Sequence, residues 1–155
     1  MRQRIFLFLL FVTTSTVFTR MSAQEAIFEK YEDTNGVTTI YISKTMLGMI
    51  PNVKAGNHDI GKIAPKLDYL RILSCEKATL ITSLMEDARK AYRTGGYEVI
   101  MKMNDGDEKV TIYQRTMKDG KNEFSLLTEE KDEATIINVK GAITLKDIKD
   151  LAGQH

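Results

Sequence analysis

Cysteine is almost missing from this chain of 155 residues: Cys75 stands alone. One cysteine excludes an internal disulfide, so packing must hold the domain together. No cysteine lies near Ala23, which excludes a lipoprotein anchor at that point. Histidine is as scarce: His58, beside Asp59, and His155 are the only two. Zinc takes three or four protein ligands, and these two residues cannot supply them at any usual spacing. There is no G-x-S-x-G elbow, no readable Cys/His pairing and no glycine-rich loop opening a helix. Basic residues exceed acidic ones by only one, 22 Lys+Arg against 21 Asp+Glu, which argues against a nucleic-acid partner. No catalytic constellation can be assembled, and no cofactor is implied.

What is present begins with the N-terminus. Arg2 and Arg4 precede an uncharged apolar run from Ile5 to Val12, then a Thr/Ser stretch to Phe18 and a close at Met21-Ser22-Ala23. That is the plan of a secretory signal peptide. The run is too short for a comfortable span, which needs about 20 predominantly apolar residues. Residues 1–23 are therefore read as a signal peptide cleaved after Ala23, and residues 24–155 as one domain. Met21 at position −3 and the nearby Arg20 leave an uncleaved anchor as the alternative. Cleavage removes three arginines and no acid, so the mature chain has 132 residues and a net charge of −2. Its expected place is periplasmic or extracellular, with no integral span left after cleavage.

Periodicity organises the rest. Ala26, Ile27, Phe28 and Tyr31 fall at helical spacing. Residues 37–43, rich in β-branched and aromatic side chains, predict a strand, and Ser43 is placed to cap a short helix carrying Met46, Leu47, Met49 and Ile50 before Pro51. Residues 52–66, with Gly56, Gly61 and Pro65, read as a mobile loop. Leu67 to Ser74 predicts a strand apolar on both faces. Glu76 to Arg93 predicts the longest helix, with Leu80, Ile81, Leu84, Met85, Ala88, Ala91 and Tyr92 in one stripe and Gly95-Gly96 behind it. Four strands then follow over 97–103, 110–117, 123–128 and 134–142. The first turns hold Asp105-Gly106 and Asp119-Gly120, whose glycines supply the positive φ of tight hairpins. Thr144 and Asp147 resemble a capping box for a closing helix with Leu145, Ile148 and Leu151. Such an order predicts an α+β fold: a single domain with a largely antiparallel sheet, and one long and two or three short helices on one face.

Several residue types invite chemistry, and the spacing decides against most. Asp105 and Asp107 are split by Gly106 without a calcium-loop pattern around them, so they are turn residues. Met101 and Met103 suit Cu(I), yet in line with Val99 their spacing of two is that of a strand's buried face. Glu129 to Glu133 reads as a solvated acidic turn. Cys75 reads as a buried small hydrophobe. Binding remains. Methionines on a short helix beside a mobile loop form an adaptable contact surface, and Met46, Met49 and Ile50 with His58 are the candidate residues. The expected partner is an unknown protein or a small apolar ligand.

Two stretches resemble a known family. Phe28-Glu29-Lys30-Tyr31 through Gly36-Val37-Thr38, with Tyr41-Ile42-Ser43-Lys44, Met46 and Met49, is one, and Val139-Lys140-Gly141-Ala142-Ile143-Thr144-Leu145-Lys146-Asp147-Ile148 is the other. They are similar to a domain-of-unknown-function family, number four-two-five-two, of small exported proteins of Bacteroidetes. The resemblance implies an envelope location and genes near extracytoplasmic-type sigma factors, hence a link to envelope signalling. It brings no catalytic residues. The reading is thus an exported, non-catalytic binding module, with two alternatives: an enzyme using the 52–66 loop, or a structural envelope protein.

Overall fold

A computed structural model describes residues 21–50, 52, 54, 55 and 58–152, at residues 54, 55, 58, 151 and 152 for the backbone alone. The signal-peptide reading falls mostly on residues 1–20, and His155 at the other end; these lie outside the described residues.

Helix α1 (Ala23–Tyr31) starts on a reciprocal cap between Ser22 and Glu25. Strand β1 (Val37–Ser43) runs into α2 (Lys44–Met49), where Ser43 Oγ accepts the Met46 N–H. Two short strands, β2 (Lys54–Ala55) and β3 (His58–Asp59), pair with each other, and a 3-10 turn at Ala64–Lys66 leads into β4 (Leu67–Cys75). The long helix α3 (Ala78–Thr94) follows, ended by Gly95 and by Gly96 at a φ of +78°. Four antiparallel strands complete the sheet: β5 (Glu98–Asp105), β6 (Glu108–Thr116), β7 (Asn122–Glu129) and β8 (Ala134–Gly141). Helix α4 (Leu145–Ala152) closes the order on the Thr144–Asp147 box.

The six long strands form one antiparallel sheet in the order β1-β4-β8-β7-β6-β5. The α+β fold is as the sequence predicts. The helices, however, do not share one face as the sequence reading had it. Alternate residues of a strand point to opposite faces, and β4 is apolar on both. Leu73 and Cys75 join Ile136 and Leu127 under α1 and α3, with Phe28, Leu84, Ala88 and Tyr92 above them. Leu70 joins Val139 and Phe124 on the other face, under Leu47 of α2, Ile148 of α4, and Ile60, Ile63 and Ala64. Both faces of the central strands need cover, so the short helices must take the second.

Two further expectations are corrected. The described part of the 52–66 loop is not simply mobile, because Ile60, Ile63 and Ala64 are buried core and hold the 3-10 turn down. Val99, Met101 and Met103 do not face a core: all three are exposed, since β5 is an edge strand and carries an irregularity between Val99 and Met101. Cys75 is fully buried, as read from the sequence, with its thiol toward the Lys77 carbonyl oxygen.

Candidate functional site

The first face of the sheet holds the polar groups that chemistry would need. Glu123 of β7 is 2 % exposed, and its Oε2 accepts from Arg115 Nε and Nη2 at 3.0 and 2.7 Å and from the Tyr97 hydroxyl at 2.7 Å. One row away, Tyr92 OH and Ser125 Oγ both donate to Asn138 Oδ1, at 2.8 and 2.6 Å. Gln24 of α1 bridges the Phe124 carbonyl and the Tyr69 hydroxyl. Burial, and at Tyr97 the neighbouring Glu123 carboxylate, pushes the Tyr92 and Tyr97 phenols well above their ordinary range. Phenols held protonated serve here as donors rather than as bases. Asn138 Nδ2 is the one buried side-chain nitrogen or oxygen without a partner among the described residues. Gln24, Tyr92, Glu123, Ser125 and Asn138 are buried, while Tyr69 and Arg115 are partly exposed at the margin of the network. Their physical role is to specify which helix packs on which strand, since each lost partner would leave a buried polar group unpaired.

The second face is different. The strand registers place Ile40 opposite Ile72, then Ile137, Leu126, Ile112 and Met101, one residue from each strand. The neighbouring row, built on Ile42, Leu70, Val139 and Phe124, packs with the short helices in the second core, which also takes in Ile112 and has Ile72, Ile137 and Leu126 against its edge. The row from Ile40 to Met101 is incompletely covered: Ile40 is 45 % and Met101 40 % exposed, Ile72, Ile137 and Leu126 are half-buried, and Ile112 is buried. Beyond it Thr38, Ser74, Thr135 and Thr128 form a small polar margin that ends in Val110 and Met103. Single exposed apolar side chains are ordinary, but a contiguous row across a whole sheet is not.

Helix α2 sits at the β1 end of this face, packed on β1 and β4. It buries Leu47, half-buries Ile50, and leaves Met46 and Met49 exposed, Met49 at 71 %. Met46 and Met49 thus lie on one short helix, with Ile50 at its extended C-cap rather than within it. His58 lies in β3, its backbone paired with Ala55, and its side chain is not among the described residues. The sheet row escaped the sequence reading, although each strand shows alternating Ile, Leu or Met. What joins those residues is the register, which periodicity does not give.

Among the described residues no three His, Cys, Asp or Glu side chains cluster as a metal site would require, and no helix is long and apolar enough to cross a membrane. Neither a curated protein nor a solved structure matches the chain. A family does: the Domain of unknown function DUF4252 matches residues 31–151, from the last residue of α1 into α4. The sheet, the second core and the row from Ile40 to Met101 all lie within that span, while Ala23, Ile27 and Phe28 of the first core precede it, and the chain belongs to the DUF4252 family.

Proposed function

We infer that this protein is an exported, non-catalytic binding module of the cell envelope, which takes up an apolar surface of another protein on the second face of its sheet. The observation that carries this reading is the row Ile40–Ile72–Ile137–Leu126–Ile112–Met101, exposed at its two ends on β1 and β5 and half-buried on β4, β8 and β7, with Ile112 alone buried. Burying such a row releases about 25 cal/mol for each Å² of apolar area removed from water. Met46 and Met49 extend the contact at one end, with unbranched side chains that adapt to an irregular partner. A flat row favours a protein surface over a small ligand, which is normally held in a concave site.

The enzyme alternative needs a site in residues 52–66. Ile60, Ile63 and Ala64 of that segment are core residues and so stand outside any such site. A purely structural role leaves the uncovered row unexplained.

Export rests on the signal-like residues 1–23. Cleavage after Ala23 removes the Ser22 cap of α1, at a cost of about 1 kcal/mol, and leaves Gln24 anchored by Tyr69 and Phe124. N-terminal sequencing of protein from the envelope fraction should begin at Gln24, and recovery of intact Met1 contradicts cleavage. The binding reading is tested by photocrosslinking in intact envelopes. A crosslinker at Ile137 or Met101 should capture one defined protein, and the same group at the exposed Lys90 on α3 should not. Equal capture at all three positions contradicts a specific face.

A further inference from the structure

The two edges of the sheet are not alike. β5 is guarded as edge strands usually are, with charged Glu98, Lys102 and Asp105 and an irregularity between Val99 and Met101. β1, the other edge, has no charge, no proline and an unbroken register with β4. On its outer side it pairs with no strand among the described residues. The Gly36 carbonyl accepts the Glu76 N–H, and the Val37 N–H turns away from β4 to Thr34. Hydrogen-bonded pairs alternate along an antiparallel ladder, so the backbone groups of Thr39 and Tyr41 point outward. A neutral, regular edge with free N–H and C=O groups is a template for another strand.

A groove of about 210 Å³ runs along this edge on the first face, between α1 and β1. Glu25, Phe28, Glu29 and Glu32 line its helix side, and Tyr41 and Arg71 its sheet side. The three glutamates recur at helical spacing and so share one side of α1. Arg71 reaches Glu25 at 3.4 Å and lies over the Tyr41 and Tyr69 rings, whereas Glu29 and Glu32 have no cationic partner among the described residues. The groove is therefore acidic toward an incoming strand.

We propose that β1 is a strand-addition site for an extended, lysine- or arginine-bearing segment of another polypeptide. The segment's backbone pairs with Thr39 and Tyr41. Its basic side chains point to Glu29 and Glu32, and the alternate side chains continue the apolar row beyond Ile40. Charge decides against a second copy of this chain. Antiparallel pairing of β1 with itself places Ile40 opposite Ile40 and both α1 helices on the same face, setting two acidic rims along one joint. The site is separate from the Met46–Met49 helix and does not depend on binding there.

The test uses the full chain and two short synthetic peptides, one alternating lysine with valine and the other glutamate with valine, followed by fluorescence anisotropy. The lysine peptide should bind at least about tenfold tighter, a difference of about 1.4 kcal/mol, and weaken as salt rises. It should shift the backbone amide resonances of Thr39 and Tyr41. Glu29→Lys with Glu32→Lys, both on exposed side chains, should reverse the preference while leaving the melting temperature unchanged. Thr39→Pro removes an outward N–H and should abolish binding of either peptide. Equal affinity for both peptides, or shifts confined to β5, would overturn the proposal. So would a wild-type dimer in sedimentation that Thr39→Pro dissociates, which would assign the edge to a second copy.

Discussion

Gly141 lies against the backbone of Lys66 so closely that a Cβ at position 141 would stand 2.1 Å from the Lys66 carbonyl oxygen. The same oxygen accepts the Ala142 N–H at 2.9 Å. The 3-10 turn thus crosses the end of β8 in direct backbone contact, and Ile63 and Ala64 are delivered to the second core. Gly141→Ala should cost about 3 kcal/mol or more, the upper end for overpacking a site that cannot yield. Gly48 is the control, because a Cβ there meets nothing within 4 Å and the residue is helical. Gly48→Ala should stabilise by about 0.5–1 kcal/mol. Urea unfolding of the two variants checks both signs.

Glu123 provides a second prediction. Arg115→Met leaves a buried carboxylate without its cation and should cost about 3–5 kcal/mol. Adding Glu123→Leu to Arg115→Met should recover much of that loss, since both charges are then gone. A double-mutant cycle in urea measures the coupling, and strict additivity would show that the pair acts independently.

Much of this was legible in the sequence, and the failures have a common cause. The long helix, the capping residues Ser43 and Thr144, the Asp-Gly hairpins and the burial of Cys75 are local or strongly periodic features. Met101 and Met103 have the same alternation as a buried strand. Their exposure follows from the position of β5 at the sheet edge, which no local pattern reports. Ile60, Ile63 and Ala64 were hidden by neighbouring glycines and a proline, which signal a loop while saying nothing of where its apolar side chains go. The uncovered row depends on six registers at once.

Acid should act partly through two carboxylates. Hydrogen bonding from Lys66, joined by the Thr144 N–H, holds Asp147 down to about 2, against an ordinary value of 3.8. Lys30 and Tyr31 likewise hold Asp87 below its ordinary value. Where the folded value is depressed, the unfolded chain binds the proton more readily. The contribution is complete above pH 3.8 and is lost as pH falls toward 2. Asp147→Asn should flatten the dependence of stability on pH in that window, and Asp87→Asn should flatten it below the ordinary carboxylate value, both measured by urea midpoints. An unchanged slope in both variants would contradict the assignment.

Cys75 is fully buried with no disulfide partner. Cys75→Ser should therefore destabilise more than Cys75→Ala, because the hydroxyl carries a desolvation cost of about 1–3 kcal/mol. The native thiol should react with a thiol reagent only as fast as the domain opens. Rapid labelling of folded protein, with equal melting temperatures for the two variants, would place Cys75 at the surface.

The most direct test of the binding reading substitutes the apolar surface while sparing the core. Met46→Ser with Met49→Ser changes two exposed side chains of α2, and Met101→Ser changes one on β5. Surface changes of this kind are usually worth no more than about 0.5 kcal/mol each, whereas truncating Leu84 costs about 2–5 kcal/mol. The measurement is the melting temperature of the triple variant alongside its photocrosslinking from Ile137 in intact envelopes. The account predicts a nearly unchanged melting temperature and loss of the partner captured by the wild type. Retained capture at full stability, or a collapse of the melting temperature, would contradict the account, since these methionines would then be idle surface or core.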